Sequence, residues 1–159
     1  MSIVAQIFDK AKLSGVMIAT AESCTGGMIA AALTEVPGAS AVVERGFVTY
    51  TNEAKMQMLG VRESTLDAHG AVSEEVAREM ASGALVHSSA RLAVSVTGIA
   101  GPGGSDFKPE GRVCFGLAAG ESVQSETVEF GARGRAQVRQ AACEHALKLL
   151  LARLQSPIT

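Results

Sequence analysis

The sequence predicts an α/β fold, a three-layer α/β/α sandwich with a mixed, mostly parallel sheet, built as a single domain over residues 1–159. Three observations carry that expectation. Helical and extended patterns alternate along the chain. Two of the extended segments, near 16–21 and 91–98, are largely apolar and read as buried strands. Two further extended segments near 112–119 and 125–130 flank the short stretch 119–122 (AGES), which suggests a late hairpin.

The elements follow in order. Ser2 is placed to cap a first helix in which Ile3, Val4, Ile7, Phe8 and Ala11 form one stripe and Gly15 is the stop. A buried strand is expected near 16–21. After the turn 22–27 (ESCTGG), residues 26–36 read as a helix ended by Pro37-Gly38. The run 42–51 (VVERGFVTYT) is strand-like, and Asn52 is the expected N-cap of a short helix over 53–60. Ser73 caps a longer helix with Glu74 and Glu75 at its positive end. A second buried strand, 91–98, runs into the glycine-rich loop 98–111 (GIAGPGGSDFKPEG). The hairpin and a final amphipathic helix over about 135–154 complete the chain.

Composition removes several classes of function. One Tyr, five Phe and no Trp leave no platform for stacking bases, and a net charge of −2 gives no electrostatic footprint for nucleic acid. Cys24, Cys114 and Cys143 are odd in number and lack metal-ligand spacing, so neither a zinc site nor a disulfide scaffold is expected. Residues 1–15 lack a leader pattern and no run approaches a membrane span, so a reduced, cytoplasmic protein without membrane or nucleic-acid partners is expected. The leucine-rich final helix leaves room for a homo-oligomer.

Chemistry is expected beyond the carboxyl ends of the strands, where open α/β sheets bind ligands. Two strands there enter loops that combine hydroxyls with glycines, after Ala21 and after Val96. The second loop fits neither a P-loop, because Lys108 lies between Phe107 and Pro109, nor the dinucleotide fingerprint, because no helix follows directly. In the first, Ser23 and Cys24 are rival nucleophiles: serine needs a base beside it, cysteine a lowered pKa. His69, His87 and His145 all lie away from the glycine-rich turn in sequence. Lys55 is the remaining base, able to reach the turn if its strand neighbours the first and able to accept a proton if desolvated. Arg135 and Arg139, four apart, share a helix face and suit a phosphate.

Five ordered blocks, 22–27 (ESCTGG), 46–55 (GFVTYTNEAK), 68–77 (AHGAVSEEVA), 95–104 (SVTGIAGPGG) and 135–139 (RAQVR), resemble the CinA C-terminal domain family over nearly the whole chain. The resemblance implies hydrolysis of the carboxamide of nicotinamide mononucleotide to nicotinate mononucleotide and ammonia, a step of pyridine nucleotide and NAD recycling. It implies Ser23 as nucleophile, Lys55 as its activating partner, and Tyr50 and Thr97 as further members of the site. Arg135 and Arg139 match the arginines of the family's G-D-R-x-x-V-R pattern, although Arg133-Gly134 stand where the pattern has Gly-Asp. The expected mechanism is acyl transfer without metal or cofactor, with N–H groups of Thr25, Gly26 and Gly27 meeting the oxyanion. Either the loop carrying Gly98 and Gly101 or the arginine pair would take the substrate phosphate. A reading of a different class is a non-catalytic nucleotide-binding or regulatory module linked to competence and damage induction.

Overall fold

A computed structural model describes residues 1–105 and 107–159; Asp106, inside the glycine-rich loop, lies outside the described residues. The chain runs α1 (Ile3–Ser14), β1 (Ile18–Glu22), α2 (Met28–Leu33), a 3-10 turn (Ala39–Ala41), β2 (Val43–Val48), α3 (Asn52–Leu59), α4 (Glu63–His69), α5 (Glu74–Val86), β3 (Leu92–Gly98), β4 (Arg112–Ala119), β5 (Ser122–Glu129) and α6 (Arg135–Arg153). The five strands form one sheet in the order β2-β1-β3-β4-β5. β1 pairs in parallel with β2 and with β3, whereas β3–β4 and β4–β5 are antiparallel. The expected mixed sheet is present, but its pairings divide evenly between parallel and antiparallel. The reason is that β4 follows β3 through a loop without a crossover helix, so it must return antiparallel.

Strand alternation separates two unlike faces. Ile18, Leu92, Val94 and Val96 point to one side, where they pack with α1, α2 and α6 around Ile7, Ile29, Val138 and Leu150. Ala19, Ala21 and Ala93 point to the other and meet Leu59, Val76, Met80 and Ala84 of α3 and α5. The small residues on this second face let α5 lie close to the sheet: the Ser95 hydroxyl donates to the Ala77 carbonyl at 2.5 Å. A helix seated this closely fixes the loop 70–73 before it, which borders the candidate site.

Helix ends show why some boundaries move. Ser2 caps α1 and Ser73 caps α5 through their side chains, as expected. Thr51, not Asn52, caps α3, because its extended backbone lets the hydroxyl accept from Ala54 N at 3.0 Å and leaves Asn52 as the first helical residue. α2 is shorter than the expected 26–36, since Gly26 and Gly27 adopt positive φ and delay its start. α4 is an addition to the sequence reading; it buries only Thr65 and Leu66 and so has little apolar periodicity. No helix among the described residues is long and apolar enough to cross a membrane.

The tight α5 seat generates a prediction. A methyl group at residue 116 would collide with the Ala77 carbonyl oxygen and with Ser95 Oγ. Gly116→Ala is therefore expected to lower unfolding free energy by roughly 1–3 kcal/mol, the usual cost of overpacking a core. Thermal unfolding of the variant beside the parent checks it; an unchanged midpoint would mean that α5 is free to shift.

Candidate active site

The carboxyl ends of β2, β1 and β3 lie side by side because all three run in parallel. The loops leaving them therefore converge. At the end of β1 the alternation of side chains does the sorting: Glu22 falls on the α2/α6 face, and the next residue, Ser23, on the α3/α5 face.

Lys55 comes to Ser23 from α3. Its helix begins directly after the chain leaves β2, so the first turn stands over the end of β1. The side chain is 1% exposed. Lys55 Nζ lies 3.0 Å from Ser23 Oγ, 3.0 Å from the Thr49 carbonyl and 3.5 Å from the Tyr50 carbonyl. No carboxylate pairs with it among the described residues, and burial pushes its pKa below the ordinary lysine value. The arrangement suits a neutral amine: two N–H groups face two carbonyls, and the remaining lone pair faces the serine hydroxyl.

Cys24, the rival nucleophile, is 5% exposed, and burial raises its thiol pKa to about 11. Lys55 and Arg139 pull in the opposite direction and do not overcome the desolvation. A thiol in that state is a poor nucleophile near neutral pH.

Glu22, to which no duty could be given from the sequence, organises the turn from below. It is 0% exposed. Its carboxylate accepts from the Thr25 hydroxyl at 2.6 Å, from Ile29 N and Ala30 N at 3.0 Å, and from Gly27 N at 3.3 Å. It thus supplies the acceptors that the first amides of α2 lack within the helix. The signal in the sequence was a lone carboxylate closing an otherwise apolar strand, which has to find buried partners.

The expected oxyanion donors need correction. Gly27 N–H is committed to Glu22, and Gly26 N–H to the Ser23 carbonyl at 3.0 Å. The positive φ values of Gly26 and Gly27, 57° and 106°, explain the two glycines as a backbone bend. The Thr25 side chain is likewise held by Glu22, but the Thr25 N–H has no acceptor among the described residues.

The remaining residues divide into a mouth and a floor. Thr97, 1% exposed, donates to the Ala71 carbonyl at 2.8 Å and joins the end of β3 to the loop before α5. Arg135 donates to the Tyr50 hydroxyl at 2.6 Å and to the Gly101 carbonyl at 2.8 Å, bridging the loops after β2 and β3. Arg139 faces the turn instead, donating to the Cys24 carbonyl at 3.0 Å. The two arginines share a helix face yet serve different partners, so they do not form one phosphate fork. Ser23, Lys55, Tyr50, Thr97, Gly98 and Arg135 line a cavity of about 180 Å³. It adjoins one of about 310 Å³ bordered by Gly98, Gly101, Gly103, Ser105, Lys108 and Arg135.

The profile of the CinA C-terminal domain family matches residues 1–154. A CinA-like protein of Chlorobium phaeobacteroides is 54% identical over 147 residues, which cover 89% of this chain and 35% of that relative; the chain thus spans about a third of its length. The nicotinamide-nucleotide amidohydrolase PncC of Escherichia coli K12 is 50% identical over 151 residues, covering 94% of this chain and 92% of the relative. Among solved structures, the competence/damage-inducible protein CihA of Agrobacterium tumefaciens superposes with a TM-score of 0.92 at 50% identity, covering 97% of this chain and 94% of its own.

Glu22 supplies this subsection's prediction. Glu22→Ala leaves buried donors without an acceptor and is expected to cost roughly 2–4 kcal/mol of stability. Glu22→Gln, which keeps one acceptor oxygen, is expected to cost about half as much. Urea unfolding of both variants checks the order; equal losses would show that charge and acceptor count are unimportant there.

Proposed function

This chain belongs to the CinA C-terminal domain family, and from that premise and the geometry of the Ser23 turn we propose that it is a nicotinamide-nucleotide amidohydrolase. It converts nicotinamide mononucleotide and water to nicotinate mononucleotide and ammonia, in the cytoplasm. The observation that carries the reading is the buried 3.0 Å contact between Lys55 Nζ and Ser23 Oγ, with the lysine shifted toward its neutral form. The further region that makes up about two thirds of the Chlorobium relative is not needed for this chemistry: PncC of Escherichia coli matches over 92% of its own length.

The carboxamide enters the smaller cavity and the phosphate points toward the loop of Gly98 and Gly101, where Arg135 and Lys108 stand. Neutral Lys55 takes the proton of Ser23 as Oγ attacks the carboxamide carbon. The oxyanion meets the Thr25 N–H, which has no acceptor among the described residues. Lys55 then returns its proton to the leaving nitrogen, and ammonia departs. In the second half Lys55 takes a proton from water, hydroxide attacks the acyl carbon, and the proton passes back to Ser23 Oγ as nicotinate mononucleotide leaves. Neither half draws on a metal or cofactor.

The roles of Tyr50 and Thr97 follow from their partners. Tyr50 is 55% exposed and is held by Arg135, so it stands at the mouth and borders the substrate ring. Thr97 keeps the loop at Ala71 over the cavity.

Ammonia release from nicotinamide mononucleotide, with chromatography of the product, is the test. Ser23→Ala and Lys55→Met are each expected to lower kcat on the order of 10⁴-fold, as removal of a nucleophile or its base does. Cys24→Ala is expected to stay within about threefold, since its buried thiol takes no part. Activity should also fall as pH is lowered, because protonation of Lys55 removes the base. That acid limb is expected below the ordinary lysine pKa of about 10.4, in the direction burial moves the group. Full activity in Ser23→Ala, or a limb that survives in Lys55→Met, would sink the mechanism.

A further inference from the structure

Arg139 is half-buried on α6, and it pairs with no carboxylate among the described residues. Its Nε donates to the Cys24 carbonyl at 3.0 Å, and its Nη2 approaches the Thr25 carbonyl at 3.5 Å. The edge of the guanidinium that would grip a phosphate side-on is thereby turned to the backbone of the nucleophile turn. The fit is close: a methyl group at residue 26 would stand 3.3 Å from Arg139 Nη2.

Peptide planarity gives this contact a consequence. In a trans peptide the carbonyl and the N–H point in opposite directions. The carbonyl of Cys24 and the N–H of Thr25 belong to one peptide. Arg139 holds that carbonyl on the α6 face, the side on which Glu22 is buried. The Thr25 N–H therefore points to the other side, where Lys55 holds Ser23 Oγ. Glu22 fixes the far end of the same turn through Thr25 Oγ1 and Gly27 N, so the peptide cannot easily rotate as a unit.

We propose that Arg139 is a positioning residue: by holding the Cys24 carbonyl, it aims the Thr25 N–H at the oxyanion that forms when Ser23 attacks. The guanidinium charge on the carbonyl side also polarises the peptide and strengthens its N–H as a donor. Arg139 does not touch substrate. This inference rests on the acyl-transfer reading above, and it replaces the expectation that Arg139 binds the substrate phosphate.

Two measurements on Arg139→Met and Arg139→Lys test it. In ammonia release, Arg139→Met is expected to lose about a hundredfold in kcat, the usual effect of losing one oxyanion donor, with KM within about threefold of the parent. Arg139→Lys, whose ammonium can still reach one carbonyl, is expected to recover about tenfold of that loss. The second measurement is labelling of Ser23 by a fluorophosphonate, followed by intact mass. Oγ forms a bond to phosphorus, fluoride leaves, Lys55 takes the proton, and the phosphonyl oxygen occupies the oxyanion position. Labelling is expected to slow in the same proportion and order across the variants.

A KM raised tenfold or more with kcat kept would overturn the proposal in favour of a phosphate ligand, as would unchanged labelling. If the parent protein releases no ammonia from nicotinamide mononucleotide, the substrate assignment fails. The labelling rates of parent and variants still decide the role of Arg139, and a parent unlabelled at Ser23 would overturn that role too. Should Arg139→Met not fold by circular dichroism, Arg139→Lys carries both measurements, with slower labelling and lower kcat at constant KM as the expected result.

Discussion

Two ionisable side chains are buried at the end of β1, Glu22 on one face of the sheet and Lys55 on the other, and the site depends on how each is accommodated. Neither has an oppositely charged side chain as partner among the described residues. Glu22 is surrounded by donors, the amides of Gly27, Ile29 and Ala30 and the hydroxyl of Thr25. Lys55 is surrounded by acceptors, the carbonyls of Thr49 and Tyr50 and the hydroxyl of Ser23. The consequences differ because the partners differ. Amides at the start of a helix satisfy a full negative charge well. Two neutral carbonyls satisfy an ammonium less completely, so desolvation prevails and moves the lysine toward the form that accepts a proton. One buried group thus anchors the turn, and the other is suited to the proposed role of base.

The sheet order makes this accommodation possible. β1 is central between β2 and β3, and the parallel pairings bring three carboxyl ends to one edge. The turn after β1 carries Ser23, the segment after β2 carries Tyr50 and Lys55, and the loop after β3 carries Gly98 and Gly101. α6 returns across the opposite face and reaches the same edge with its first two turns, where Arg135 and Arg139 stand. The small residues under α5 contribute by letting that helix seat closely, which brings Ala71 and Val72 over the cavity. Packing far from Ser23 therefore determines how enclosed its hydroxyl is.

Much of this was legible in the residues, and the exceptions have physical causes. The alternation of patterns gave the layers, and the neighbourhood of Lys55 and Ser23 followed from placing two strands side by side. The direction of individual peptides was not legible. Gly26 and Gly27 looked like oxyanion donors because glycines permit close approach, but their N–H groups turn inward to Ser23 and Glu22. Which way a peptide faces in a tight turn depends on residues more than 100 positions away, as the Arg139–Cys24 contact illustrates. α4 escaped because so little of it is apolar and buried. The capping of α3 by Thr51 instead of Asn52 is a shift of one residue between two good caps, which sequence preference alone does not resolve.

The same geometry favours the proposed oxygen nucleophile over the neighbouring sulfur. Ser23 and Cys24 are adjacent, both are close to a basic side chain, and a thiol is intrinsically the more reactive group. Reactivity, however, requires the thiolate, and the burial of Cys24 places its pKa at about 11. Packing with the core on the α1/α6 side keeps that sulfur away from solvent. Ser23 needs no stable anion; it needs a base in contact at the moment of attack, and Lys55 Nζ at 3.0 Å meets that requirement. Burial thus moves both groups toward their uncharged forms, lowering the Lys55 pKa and raising that of Cys24, as the proposed serine mechanism requires.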